Sequence, residues 1–152
     1  MEINEVMQPG VTGFSVTSEN WGEQNNKEFE VYLFEAIRSN NGECIKKELL
    51  TNNGSFYTYH IYNRTENFYI LFHSIYPFVA YASVVNISGI KFIDEPESMR
   101  STFNERYKVL PKEQLEQTLL KDHIKTLTKY EQKMIKYWGP GTIGEVIYNY
   151  WD

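Results

Sequence analysis

Two Asn-Gly turns, Asn41-Gly42 and Asn53-Gly54, constrain this chain more than any other feature. Asn-Gly supplies the positive φ angles of a tight hairpin turn, and each pair sits between runs rich in β-branched and aromatic residues. Strands joined by turns this short can only pair antiparallel. The expected runs are Glu28–Ser39, Glu43–Thr51, Ser55–Tyr62, Phe68–Ile75, Phe78–Ile87 and Ile90–Asp94, with a looser turn between Asn63 and Asn67. Together they read as an antiparallel meander of five or six strands over 28–94.

The third run shows the cleanest alternation. Phe56, Thr58, His60 and Tyr62 share one face, and Tyr57, Tyr59 and Ile61 share the other. Both faces are aromatic, so this strand is either covered on both sides or presents rings to a partner. Asn67 to Ile90 carries no Asp, Glu, Lys or Arg, a length that can span a bilayer. His73, Pro77 and several Tyr and Ser residues interrupt it, so two buried strands broken at Pro77 are expected rather than a membrane helix.

After Asp94 the period changes. Asp94-Glu95-Pro96-Glu97 is a helix-start signal, and Met99, Phe103 and Tyr107 follow at four-residue spacing. A second helix is expected from Pro111, with Leu115, Leu119 and Leu120 as the candidates to face inward. Thr128 with Glu131, and Thr142 with Glu145, are two capping boxes; Gly139-Pro140-Gly141 stops the helix between them. The last helix is expected to turn Ile143, Val146, Ile147, Tyr150 and Trp151 inward. Strands first and helices second imply an α+β fold, with three or four C-terminal helices packed on one face of the sheet. We expect one domain over 1–152: a loose segment at 1–27 with a short strand near Gly13–Ser18, a sheet at 28–94 and helices at 95–152.

Charge narrows the partners. The net charge is −5, and residues 1–43 hold eight acids against two bases. An acidic chain repels a phosphate backbone, which points away from nucleic acid. The segment from Thr142, read as a recognition helix after a short turn, contains no Lys or Arg and is expected to pack in the core instead. Lys121, Lys125, Lys129 and Lys133 would line one helix, but the capping box at Thr128 interrupts it and leaves a solvated surface. Met1 to Glu5 has neither a basic nor an apolar run, and Cys44 is a lone thiol; both fit a cytoplasmic protein. The abundance of Asn, Lys, Ile, Tyr and Phe indicates A/T-rich codons and a bacterial or phage source.

Chemical motifs are sparse. His60, His73 and His123 lack the spacing of a metal site, and Cys44 has no activating neighbour in sequence. Nucleotide-binding glycine loops and a nucleophile elbow are missing from the chain. No cofactor or metal is expected, and catalysis is not the leading expectation.

The strongest functional signal is Glu19-Asn-Trp21-Gly-Glu23, followed by Glu28 and Glu30. An aromatic anchor rimmed by charge is common in protein interfaces. The expected function is a small acidic module that binds a partner protein with a basic surface and inhibits it by occlusion. Its contact residues would be Glu19, Trp21, Glu23, Glu28 and Glu30, with Tyr57 and Tyr59 second. One alternative is a small-molecule or enzyme pocket between sheet and helices, lined by His60, Tyr62 and His73. Another is self-association into a homodimer through the aromatic sheet face.

Overall fold

The computed structural model describes residues 3–13, 26–39, 43–48, 55–62, 66–86, 88–100, 102–103 and 106–149. In chain order the elements are α1 (Ile3–Val6), α2 (Asn26–Ser39), β1 (Glu43–Glu48), β2 (Phe56–Tyr62), β3 (Asn67–His73), β4 (Phe78–Asn86), β5 (Gly89–Ile93), β6 (Lys108–Val109), α3 (Lys112–Leu115), α4 (Lys129–Trp138) and α5 (Ile143–Ile147). Short 3-10 turns lie at Glu97–Met99 and Lys121–Ile124. The class is α+β. Strands β1 to β5 pair in sequence order, each antiparallel to the next, and β6 joins β4 in parallel.

Every run expected as a strand from Glu43 to Asp94 contains one. The run Glu28–Ser39 does not: it lies within helix α2. Phe29, Leu33 and Ile37, four residues apart, are buried, while Val31 and Phe34 between them are exposed. That is one stripe of a 3.6-residue period, and it outweighs the local strand propensity of Val, Tyr and Phe. Glu28 in the first turn and Arg38 in the last also complement the helix dipole.

The stripe Met99, Phe103 and Tyr107 differs in the opposite sense. All three are buried, and among the described residues the helical turn there is the 3-10 turn at Glu97–Met99. The Lys108 and Leu110 amides donate to the Pro77 and Val79 carbonyls at 2.8 Å. Pairing with β4 thus takes up backbone that a helix would have used.

Helices on one face of the sheet were the expectation; the sheet is covered on both. On one side Tyr59, Ile61, Phe68, Ile70, Phe72, Val79 and Tyr81 pack against α2 and against Met99, Phe103 and Tyr107. Phe29 stacks on Phe72 and on Phe103, with ring centroids 4.1 and 4.8 Å apart. On the other side Phe56, Leu71, Phe78, Ala80, Ala82 and Phe92 meet residues 6–11 and helices α3, α4 and α5. The alternation along β3 and β4 sends successive residues to the two cores.

Both C-terminal capping boxes form as expected. The Thr128 hydroxyl accepts from the Glu131 amide at 3.1 Å, and the Thr142 hydroxyl from the Glu145 amide at 3.3 Å. Gly139 ends α4 in the left-handed region, at φ +62°, and its amide donates to the Ile135 carbonyl. Helix α5 buries Ile143, Gly144, Val146 and Ile147, which makes it a packing helix. Among the described residues no helix is long and apolar enough to cross a membrane.

Candidate functional site

The residues singled out in the sequence are dispersed. Glu19, Trp21 and Glu23 lie outside the described residues, as do Tyr150 and Trp151. Glu28 and Glu30 sit on α2 rather than on a strand. Glu28 pairs with Arg106, and the Glu30 carboxylate accepts from the Tyr59 hydroxyl at 3.0 Å. Tyr59 has no exposed surface. It is a core residue anchoring α2 to β2, which corrects its assignment as a partner-contact residue. Tyr57 is half-buried on the same side of the sheet.

His60 and His73 are on one sheet face but do not converge. His60 is opposite Tyr69, and His73 is opposite Phe56, four positions away along the same strand pair. Four residues of strand separate them by about 13 Å. The His60 ring stacks on Tyr69 at 4.4 Å and hydrogen-bonds Asn67. Tyr62 is exposed at the strand end. These three residues therefore do not line a common pocket, because the strand register holds them apart.

His73 has a structural role. It is fully buried, and its Nδ1 accepts from the Ile75 and Tyr76 amides, both at 3.1 Å. Nε2 must then carry the proton that it donates to the Val11 carbonyl at 2.7 Å. Burial lowers its pKa to about 4, although the Val11 bond opposes the shift, so the ring is neutral at pH 7.

Glu131 is likewise buried and committed. Its carboxylate accepts from the amides of Gly10 (2.8 Å), Thr12 (3.1 Å) and Thr128 (3.2 Å) and from the Thr12 hydroxyl. A buried acid with four donors is satisfied where it stands. No group of three or more His, Cys, Asp or Glu side chains suited to a metal ion occurs among the described residues.

One concave feature among the described residues is a groove of about 420 Å³ between the β4–β5 hairpin and the α4–α5 turn. Asn86, Ser88 and Ile90 form one wall, Trp138 and Pro140 the other, and Phe92 and Tyr148 also line it. Among the described residues, Glu116 and Glu145 are its charged lining residues. Glu145 is engaged in the α5 cap, accepting from the Gly141 and Thr142 amides. Glu116 is exposed and makes no ion pair with another described residue.

Backbone contacts hold the walls. Thr118 and Thr142 form an isolated antiparallel bridge, and the Leu119 and Ile143 amides each donate across it at 3.0 Å. Gly144 lets α5 approach the sheet: a Cβ there would lie 2.5 Å from a Phe92 ring carbon and 2.9 Å from the Leu115 carbonyl oxygen. Beside the groove, Tyr137 and Trp138 meet edge-to-face at 5.3 Å and are 78% and 40% exposed. Tyr148 is only 2% exposed, and its hydroxyl has no hydrogen-bond partner among the described residues. Burial raises its pKa well above the usual tyrosine range, so it stays protonated.

The Gly139-Pro140-Gly141 stop and the Thr142 cap located the α4–α5 turn in the sequence. Nothing local joined that turn to the hairpin at Asn86–Gly89, so the groove could not be read before folding. No family model, curated protein or solved structure matches this chain.

Proposed function

We propose that this protein is a binding module that captures a partner protein with a basic surface and acts by covering it, as a cytoplasmic inhibitor of the immunity or anti-defence kind would. One observation carries the reading: among the described residues the charged ones lining the groove are both carboxylates, and part-exposed Trp138, with exposed Tyr137 packed edge-on against it, belongs to its lining. Interfaces favour aromatic anchors of this type, and the net charge of −5 would steer a basic partner toward them. The acids around Trp21 contribute to that net charge.

The test is affinity capture from the native host at low salt, followed by reconstitution of the purified pair. A basic protein should form a stoichiometric complex that weakens steeply as salt rises. Charge reversal at Glu116, or at Glu19 and Glu23 with Trp21→Ala, should weaken it further. Recovery of only neutral or acidic partners, with no salt dependence, would remove the proposal.

A small-molecule site is the second reading. The groove volume lies within the range of ligand pockets, and its wall combines aromatic rings with a few polar groups. A metabolite retained through native purification would favour it over protein capture.

A further inference from the structure

We infer that the fold contains a peptide-receiving site, which the chain fills with its own residues 6–13 and which takes the same segment from a second copy by exchange of N-terminal arms. The inference goes beyond the partner-capture reading and does not rest on it.

The site reads main chain. The carbonyls of Met7, Pro9, Val11 and Thr12 accept from the side chains of Thr126, Tyr76, His73 and Asn149, the last two at 2.7 and 2.9 Å. The amides of Gly10 and Thr12 donate to the Glu131 carboxylate at 2.8 and 3.1 Å. These five side chains come from the end of β3, the β3–β4 turn, α4 and the chain flanking α4 and α5. Main-chain bonds that hold a segment, with pockets that select it, are the working parts of a peptide receptor.

The arm docks as a unit. Among the described residues its backbone–backbone bonds are internal: the Gln8 amide donates to Val6, Val11 to Gln8 and Gly13 to Gly10, at 3.0, 3.0 and 2.9 Å. Undocking it would therefore break side-chain contacts and leave the ladders of the sheet whole.

The pockets are demanding. Val6, Met7, Val11 and Thr12 have no exposed surface, and the Thr12 hydroxyl donates to Glu131. Gly10 and Gly13 have φ of +94° and +82°, where glycine is favoured. A Cβ on Gly13 would also lie 3.2 Å from the Ser55 Cβ. Two glycines, three apolar residues and a threonine must thus come in one fixed order. A second copy of this chain meets that requirement by identity, and this singles out the occupant.

Exchange conserves every bond, because each copy gives an arm and receives one. Residues 14–25 join the arm to α2, and a connection of that length reaches about 40 Å at most, enough to meet a neighbouring copy. The tether favours docking within one chain when the protein is dilute, and crowding of copies favours exchange.

The Glu5–Lys108 ion pair, 3.9 Å apart with side chains 53% and 42% exposed, joins the N-terminal segment to β6 and reports which copy supplies the arm. A carbodiimide would couple it without a spacer. Unlabelled and heavy-isotope full chains are mixed, held at about millimolar concentration, separated by size, coupled and digested. In the dimer fraction about half of the Glu5–Lys108 peptide pairs should join a light to a heavy peptide, the statistical share for swapped arms. The monomer fraction should give pairs of one isotope. The blocked peptide of residues 1–13, in excess, should couple to Lys108 and reduce the dimer fraction. The same peptide with Gly10→Ala and Gly13→Ala should compete at least about tenfold more weakly. Absence of a dimer, or a dimer with single-isotope pairs alone, would overturn the exchange. Equal competition by the two peptides would overturn the selectivity that names the second copy as occupant.

Discussion

Thr12 and Glu131, 119 positions apart, are joined by two buried hydrogen bonds: the Thr12 amide and hydroxyl both donate to Glu131 Oε2. Glu131 Oε1 accepts from Gly10 and also closes the capping box with Thr128. One carboxylate therefore starts helix α4 and clasps the N-terminal segment to it. Thr126, Tyr76 and Asn149 add bonds to the carbonyls of Met7, Pro9 and Thr12. Side chains distant in sequence, most of them from the C-terminal half, thus hold a segment that has no strand ladder of its own.

Removing that carboxylate should be costly. Glu131→Ala leaves several buried donors without an acceptor, and a loss of about 3 kcal/mol is expected. Thr12→Val removes only the hydroxyl and should cost about 1 kcal/mol. Urea unfolding of both variants measures the difference; a Glu131→Ala loss below that of Thr12→Val would contradict the clasp.

Acid should loosen the same segment through His73. Its folded pKa of about 4 lies below the 6.5 of the exposed group. The unfolded chain therefore binds the proton first, and stability rises with pH between those values. The contribution is complete above pH 6.5 and is lost as pH falls toward 4, for a total of roughly 3 kcal/mol. Unfolding free energy measured across this window should show that slope, and His73→Gln, although less stable throughout, should flatten it.

Close packing at Gly144 gives a third expectation. Gly144→Ala forces a Cβ against Phe92 and the Leu115 carbonyl, and should destabilise by about 2 kcal/mol through overpacking. Phe92→Leu removes the ring carbons nearest that Cβ. In the double variant the two losses should sum to more than the measured loss; strict additivity would mean that the contact is not the cause.

Gly139 tests backbone conformation without packing. Its φ of +62° is in the left-handed region, and an added Cβ would meet nothing within 4 Å. Gly139→Ala should cost about 1 kcal/mol from conformation alone, with Gly139→Asn in between. Thermal melts of the two variants would rank them; equal melting points would mean that the cap has rearranged.

Much of the secondary structure was legible because its signals are local. The hairpin run from Glu43 to Ile93, the capping boxes at Thr128 and Thr142, and the Gly139 stop depend on neighbours a few residues apart. Helix α2 carried competing local signals: its β-branched and aromatic content suggested a strand, while Phe29, Leu33 and Ile37 carried the helical period. Burial against the sheet decides between them, and that is a tertiary interaction.

The candidate site was less legible. His60, Tyr62 and His73 looked like one cluster because their strands adjoin, but register separates them. Tyr59 looked like an exposed anchor because both faces of β2 are aromatic, yet α2 covers one of those faces. Glu131 was visible only as the second half of a capping box; its bonds to Gly10 and Thr12 were not.

The amino-acid order by itself determined the strand-then-helix succession, the acidic balance and the positions of the helix caps, because each rests on charge count or short-range hydrogen bonding. Only the tertiary structure decided the double covering of the sheet, the clasp at Glu131, the separation of the histidines and the groove beside Trp138. Those depend on which distant segments share a face, and the burial energy that selects the arrangement is not written in any short window of the chain.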